Sequence, residues 1–250
     1  SLIIEVFKNE GIKIIGFMPS DRKITLRKSN LGLVSPNELA EKLDINYFAS
    51  FAEKNLDITF LINSLTSKRK KLTLLTKELP FKVNKEIPIA IADDRIFHFQ
   101  YPDTKEFLNE IGIPTISWNI FNDDEIPKEA RAIIIPGGFP ERYSEHISTS
   151  KRSLKSLREF QTKGLIYAEC GGMMILGESI RDEKGEPHKM AGILPFKSRK
   201  GNLTVGYRYI QGVKDSLIIK ENELTRGHEF HYWQIEPSNN LLNHIENDFL

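Results

Sequence analysis

Cysteine is almost missing from this sequence of 250 residues: Cys170 stands alone. That excludes an intrachain disulfide and any thiolate cluster for structural zinc. Long apolar runs are missing too, and no stretch approaches the roughly 20 residues of a membrane span. The opening segment SLIIEVFKNEG carries Glu5 and Lys8 among its apolar residues, so it does not read as a secretory signal. Nor is charge of one sign in excess: 35 Lys and Arg stand against 34 Asp and Glu, for a net charge of +1. Nucleic acid is therefore not an expected partner, and the basic run Lys68-Arg69-Lys70-Lys71 reads as a solvated loop or linker. These absences support a cytoplasmic chain without membrane contact.

What is present is an ordinary globular composition, 40% apolar and 28% charged, with a change of texture along the chain. Residues 1–19 read as part of a helix, a stop at Gly11, a short strand KIIGF and then Met18-Pro19. SPNELAEKL, 35–43, carries a helix start, with a serine cap, proline in the first turn and Glu38 three residues on. Residues 46–64 continue the helical pattern, and 66–86 lose periodicity and concentrate lysine. The expected organisation is a first region over 1–65, a linker over 66–86 and a domain over 87–250.

From Ile87 the pattern becomes regular. IPIAIA reads as a strand buried on both faces. Asp103 with Glu106 predicts a capping box opening a helix that ends at Gly112. PTISWN and ARAIIIPGG are the next strand candidates, STSKRSLKSLREFQTK is an amphipathic helix, LIYAE is a fourth strand and GGMMILGESI a short helix. This alternation predicts an α/β fold with an open parallel sheet and helices on both faces. After Met190 the sequence turns strand-rich, in MAGILPF, NLTVGYRYIQG and LTRGHEFHYWQIE.

Cys170 sits where strand LIYAE gives way to the helix GGMMILG. Sites in open α/β sheets form outside the carboxyl ends of strands, and a strand-to-helix turn that lifts a nucleophile needs small flanking residues, here Ala168 and Gly172. A helix start behind the sulfur predicts a lowered thiol pKa. The Gly171 N–H would face an oxyanion formed on the sulfur's target. Against this stands packing, because a free cysteine is often simply buried. PGGFPE, 136–141, places Gly137 and Gly138 at another strand end, where backbone N–H groups can form the second half of an oxyanion hole or merely a turn. GHEFHY supplies His228 and His231 as candidate bases. Three residues apart on a strand, they face opposite sides, and spacing alone does not choose between them.

Together PGGFPE, YAECGGMMILG and GHEFHY, in this order, resemble the glutaminase half of the cobyrinic acid a,c-diamide synthase family. MAGILPF, VGYRYI and IADDRIFHFQYPD (91–103) add to the likeness, which covers about residues 87–236. The resemblance implies a flavodoxin-like class I glutamine amidotransferase domain. In it Cys170 attacks the glutamine side-chain amide, His231 is the base, and the backbone N–H groups of Gly138 and Gly171 hold the oxyanion. Many class I members carry a glutamate two residues after the histidine; Trp233 stands there, leaving Glu236 as the orienting group or a dyad without one.

The family's other half is an ATP-binding synthetase, where ATP and Mg²⁺ activate the a and c carboxylates of a corrin precursor for the released ammonia. No G-x-x-x-x-G-K-[ST] occurs in this sequence, so ATP, Mg²⁺ and any metal are expected outside this chain. GIKIIGFMPSD and KSNLGLVSPNE resemble the end of the synthetase half, although Lys28, Ser29 and Asn30 stand near where the family has Arg-His. A C-terminal piece of a longer ligase of cobalamin biosynthesis is the resulting expectation. Its partners are glutamine, the corrin precursor and the synthetase half, and a homo-oligomer is compatible with it. A cobyric acid synthase or a nickel-tetrapyrrole a,c-diamide synthase would share the same machinery. A non-catalytic module of the same fold is the alternative of another class.

Overall fold

The computed structural model describes residues 2–25, 44–66, 87–216 and 218–238. The chain divides into two units, Ser1–Phe81 and Lys82–Leu250. In the first, a helix over Leu2–Asn9 is followed by Gly11 at φ +69°. KIIGF does not form a strand: among the described residues it makes a single bridge, from Gly16 to Leu56, and one bridge gives no ladder to extend. The helical pattern over 46–64 becomes two helices, Ile45–Asn55 and Ile58–Thr66. Between them Leu56 is extended, and the Asp57 carboxylate accepts the Phe60 N–H at 3.0 Å to start the second helix. The helix start expected at 35–43 and all but the first residue of the 66–86 segment lie outside the described residues.

The second unit is built on four short strands, β1 (Ile89–Ala92), β2 (Thr115–Trp118), β3 (Ala132–Ile135) and β4 (Leu165–Ala168). All pair in parallel, in the order β2-β1-β3-β4. Parallel pairing requires a crossover between strands, and the sequence supplies a helix over Pro102–Glu110 between β1 and β2 and one over Lys151–Phe160 before β4. The latter buries Leu154, Leu157 and Phe160 against a core that includes Ala90, Ala92, Ile133 and Ile135. The first of these helices starts earlier than its capping-box pattern implies. Pro102 takes the first helical position behind Tyr101, and no side chain caps it. Proline's fixed φ and missing N–H suit that position, so Asp103 lies inside the first turn and not at the cap.

A second, mixed sheet follows in the order β6-β5-β7-β8, with β5 at Ser179–Arg181, β6 at Pro187–Lys189, β7 at Phe196–Gln211 and β8 at Leu224–Pro237. The expected helix GGMMILGESI is therefore shorter, Gly171–Met174, and its last residues enter β5. MAGILPF is mostly loop up to Phe196: Gly192 sits at φ +66°, and Ile193 and Leu194 both donate to the Leu176 carbonyl. The long β7–β8 ribbon is rooted by Trp233, which lies in the main core and donates its indole N–H to the Arg181 carbonyl at 3.0 Å. Farther out, Tyr207 and Tyr209 are exposed.

Candidate active site

Strands β3 and β4 run in register with Ile135 opposite Ala168, and the Glu169 N–H extends that ladder to the Ile135 carbonyl at 3.0 Å. The residues beyond both strands therefore turn side by side at the sheet's carboxyl edge, where α/β folds place their sites. A Cβ on Gly171 would stand 2.6 Å from the Gly138 carbonyl oxygen, and one on Gly172 would stand 2.2 Å from that of Ile135. Those contacts are with backbone, which cannot swing aside. The glycines let the Pro136–Phe139 turn and the cysteine turn touch.

Cys170 itself carries the bend, at φ 49° and ψ −116°. A non-glycine residue held in that region stores about 1–2 kcal/mol of strain, and strain of this kind is concentrated at functional sites. Its carbonyl accepts from Met173 and Met174 at 3.1 and 3.3 Å, which starts the Gly171–Met174 helix behind it. The thiol is exposed, although the protein massed beneath the sulfur still desolvates it. Burial pushes the thiol pKa up; the Gly171 N–H, bonded to it, pulls the other way, and Glu141 and Glu169 add to the rise. The helix start therefore does not lower this pKa as the sequence implied. A four-residue helix offers a single N–H and little dipole, and desolvation wins. At neutral pH the sulfur carries its proton and needs a base.

Two N–H groups suit an oxyanion. Gly138 is buried, and among the described residues no acceptor takes its N–H. The Gly171 N–H faces the thiol. The flanking groups are fixed: the Phe99 N–H donates to the Gly137 carbonyl at 3.1 Å, and the Phe139 N–H donates to that of Ile96 at 3.2 Å.

Two carboxyl groups flank the sulfur. Glu169 accepts from the Tyr167 hydroxyl, and that bond pushes the phenol up to about 12. Glu141, the last residue of PGGFPE, is 5% exposed. Burial pushes its pKa up to about 7, opposed by its own backbone N–H, raised further by Glu183, and opposed again by Arg142 and Lys200.

The alternation along β8 separates its two histidines. His231 shares a face with the buried Trp233, whereas His228 lies opposite, its ring 5.3 Å from that of the exposed Tyr207. The His231 Nδ1 is 2.8 Å from the Trp233 carbonyl oxygen; a carbonyl only accepts, so Nδ1 donates there and Nε2 is the nitrogen left to exchange a proton. Glu229, on the same face, places a carboxylate oxygen 3.3 Å from that Nε2 and is ion-paired with Arg208. Among the described residues His231 makes no hydrogen bond to Cys170. Glu236 is ion-paired with Arg199 on the neighbouring strand, and Glu229 holds the place beside the imidazole.

The structure thus brings Cys170, Gly138 and Gly171 together, and puts His231 on the inward face of the ribbon. Glu229 and Glu141 do not stand out in the sequence. The first follows from the two-residue period of HEFH; the burial of the second follows only from the tertiary fold. No group of three or more His, Cys, Asp or Glu among the described residues could hold a metal ion, and no helix among them is long and apolar enough to cross a membrane.

Comparison with known proteins identifies the family of the second unit. The family described as "CobB/CobQ-like glutamine amidotransferase domain" matches residues 88–246. The cobyrinate a,c-diamide synthase of Caldanaerobacter subterraneus subsp. tengcongensis is 32% identical, over 99% of this chain and 55% of its own length. Those of Salmonella typhimurium and Saccharolobus solfataricus are each 30% identical, over 91% and 89% of this chain and 50% and 51% of their own lengths. The chain spans about half the length of these curated relatives.

Proposed function

Because the chain belongs to the CobB/CobQ-like glutamine amidotransferase domain family, we propose that it hydrolyses glutamine through Cys170 and supplies the ammonia to an amide-forming ligase. The observation that carries this reading is the strained Cys170 turn packed against a second turn whose Gly138 N–H is free to donate. The thiol proton passes to His231 Nε2, and the sulfur attacks the side-chain carbonyl carbon of glutamine. The negative oxygen that forms is held by the N–H groups of Gly138 and Gly171. Its collapse breaks the carbon–nitrogen bond; the leaving nitrogen takes the proton from His231 and departs as ammonia. Water then cleaves the thioester to glutamate. Protonation of Nε2 puts a positive charge 3.3 Å from the Glu229 carboxylate, so Glu229 stabilises the imidazolium by charge, while the Trp233 carbonyl does at Nδ1 what a third triad residue does elsewhere. Catalytic hydrogen bonds are commonly long before substrate binds, which accommodates the absent Cys170–His231 bond.

In the whole protein, the ammonia is used for ATP-driven amidation of the a and c carboxylates of cobyrinic acid, in the cytoplasm and in the synthesis of cobalamin. This sequence has no phosphate-binding loop for ATP. That chemistry is assigned to a synthetase half. The test is glutamate release from glutamine together with mass-spectrometric detection of a Cys170 adduct with a diazo-ketone analogue of glutamine. Both are expected for the wild type and neither for Cys170→Ser. Unchanged glutamate release in Cys170→Ser would overturn the reading.

A further inference from the structure

The loop after β1 is held by one side chain. Asp94 Oδ1 accepts the N–H groups of Ile96 and Phe97 at 2.8 and 3.2 Å, and Oδ2 accepts those of Ile120 and Phe121 at 2.9 and 3.1 Å. A single carboxylate therefore ties the chain leaving β1 to the chain leaving β2. What it fixes lies against the site. The Ile96 carbonyl accepts the Phe139 N–H at 3.2 Å, and the Phe99 N–H reaches the Gly137 carbonyl at 3.1 Å. These two bonds bracket Gly138. A Cβ on Gly138 would lie 1.8 Å from the Ile96 oxygen, so no slack exists between the loop and the turn.

We propose that Asp94 is a positioning residue of the glutaminase site, which sets the direction of the Gly138 N–H through Ile96 and Phe99 without touching substrate. The inference rests on the reading of Gly138 as an oxyanion donor. A carboxylate is needed because four backbone donors converge on it, and only an ionised carboxyl offers acceptor sites alone on both oxygens. Asparagine would keep one acceptor and turn an NH₂ towards the other pair of N–H groups. That shift passes to Ile96, and from there to the turn.

The experiment compares wild type, Asp94→Asn and Asp94→Ser, with Cys170→Ser alongside. Glutaminase kcat is expected to fall about 10-fold or more in both Asp94 variants, with KM changed less than about 2-fold, because misaimed oxyanion donors act mainly in the transition state. Labelling of Cys170 by the diazo-ketone analogue, which places a carbonyl in the oxyanion site, should slow in parallel. Labelling by iodoacetamide, a displacement at saturated carbon, should stay within about 2-fold, because it draws on no oxyanion donor and the cysteine turn is not itself bonded to Asp94. A merely structural role would slow both labels together or leave both alone, and either result overturns the proposal. Should Asp94→Asn not fold, Asp94→Ser keeps a small acceptor for the Ile96 N–H, and the same pair of labels decides. If wild type itself forms no diazo-ketone adduct at Cys170, the glutaminase reading fails; if wild type reacts and folded Asp94 variants react equally well, only the role of Asp94 fails.

Discussion

A Cβ built on Gly137 would stand 3.5 Å from the Cβ of Cys170, although the two residues come from different strand-to-helix connections. The register of β3 against β4 brings this about, since each residue lies two beyond the facing pair Ile135 and Ala168. The proposed nucleophile and oxyanion donors are thus aligned by strand pairing, before any side chain is considered.

Neighbouring glycines should then respond in opposite ways. At Gly172 a methyl group meets the carbonyl oxygens of Ile135 and Pro136 at 2.2 and 2.7 Å, so Gly172→Ala forces the two turns apart. It should lower unfolding free energy by about 1–3 kcal/mol. At Gly137 the nearest atoms are 3.2 to 3.5 Å away, in the Phe99 side chain and Cys170. Gly137→Ala should stay within about 1 kcal/mol of wild type yet slow labelling of Cys170, because the methyl crowds the approach to the sulfur. Denaturant melts paired with labelling rates check both; a stable Gly172→Ala would show that the turns do not touch as described.

The histidines should separate in the same manner. His231→Ala is expected to lower kcat by about 10²–10⁴-fold, the range for loss of a general base, while His228→Ala, on the outward face with Tyr207, should cost less than about 3-fold. Glu229→Gln should fall between them, because it removes the charge beside Nε2 and leaves the bond from Nδ1 to the Trp233 carbonyl. Equal losses at the two histidines would contradict the facing of β8.

Much of the sheet was legible because apolar runs bounded by Pro and Gly punctuate it. IPIAIA, PTISWN, ARAIIIPGG and LIYAE all became its strands. The misreadings have local causes. Pro102 moved a helix start ahead of Asp103, and KIIGF formed a single bridge instead of a strand. In the site, Cys170 and the glycine turns announced themselves through residue type. The rise of the thiol pKa did not, because desolvation depends on what the fold places beneath the sulfur. Nor did Asp94, one of two adjacent aspartates in IADDR, since its four donors come from two separate loops.

The strain at Cys170 predicts a trade of stability against chemistry. Glycine adopts φ 49° without penalty, whereas alanine keeps the Cβ and the strain. Cys170→Gly should therefore be more stable than Cys170→Ala by about 1 kcal/mol, against the usual order in which glycine loses. Both should lack glutaminase activity. Thermal melts of the pair give the answer, and an alanine variant as stable as the glycine variant would remove the argument for strain.

Glu141 predicts a pH dependence of stability. Its carboxyl has an ordinary value of 4.5 in the unfolded chain and about 7 in the folded one, chiefly through burial. Below the lower value both states hold the proton, and the stability that goes with it is fully present. As pH rises through this window the unfolded chain ionises first, so the folded state binds more protons and stability falls. Above about 7 the loss is complete, at roughly 3 kcal/mol for a shift of this size. Glu141→Gln has no charge to desolvate, so its stability relative to wild type should rise between pH 4.5 and pH 8. At roughly 2–4 °C per kcal/mol for a domain of this size, the gap in Tm should widen by about 5 °C or more. The same ionisation adds a negative charge near Cys170, and above neutral pH it should hold back formation of the thiolate in wild type but not in the variant. Iodoacetamide labelling across the same range should accordingly rise more steeply in Glu141→Gln. A constant Tm gap with superimposable labelling curves would mean that Glu141 does not keep its proton near pH 7.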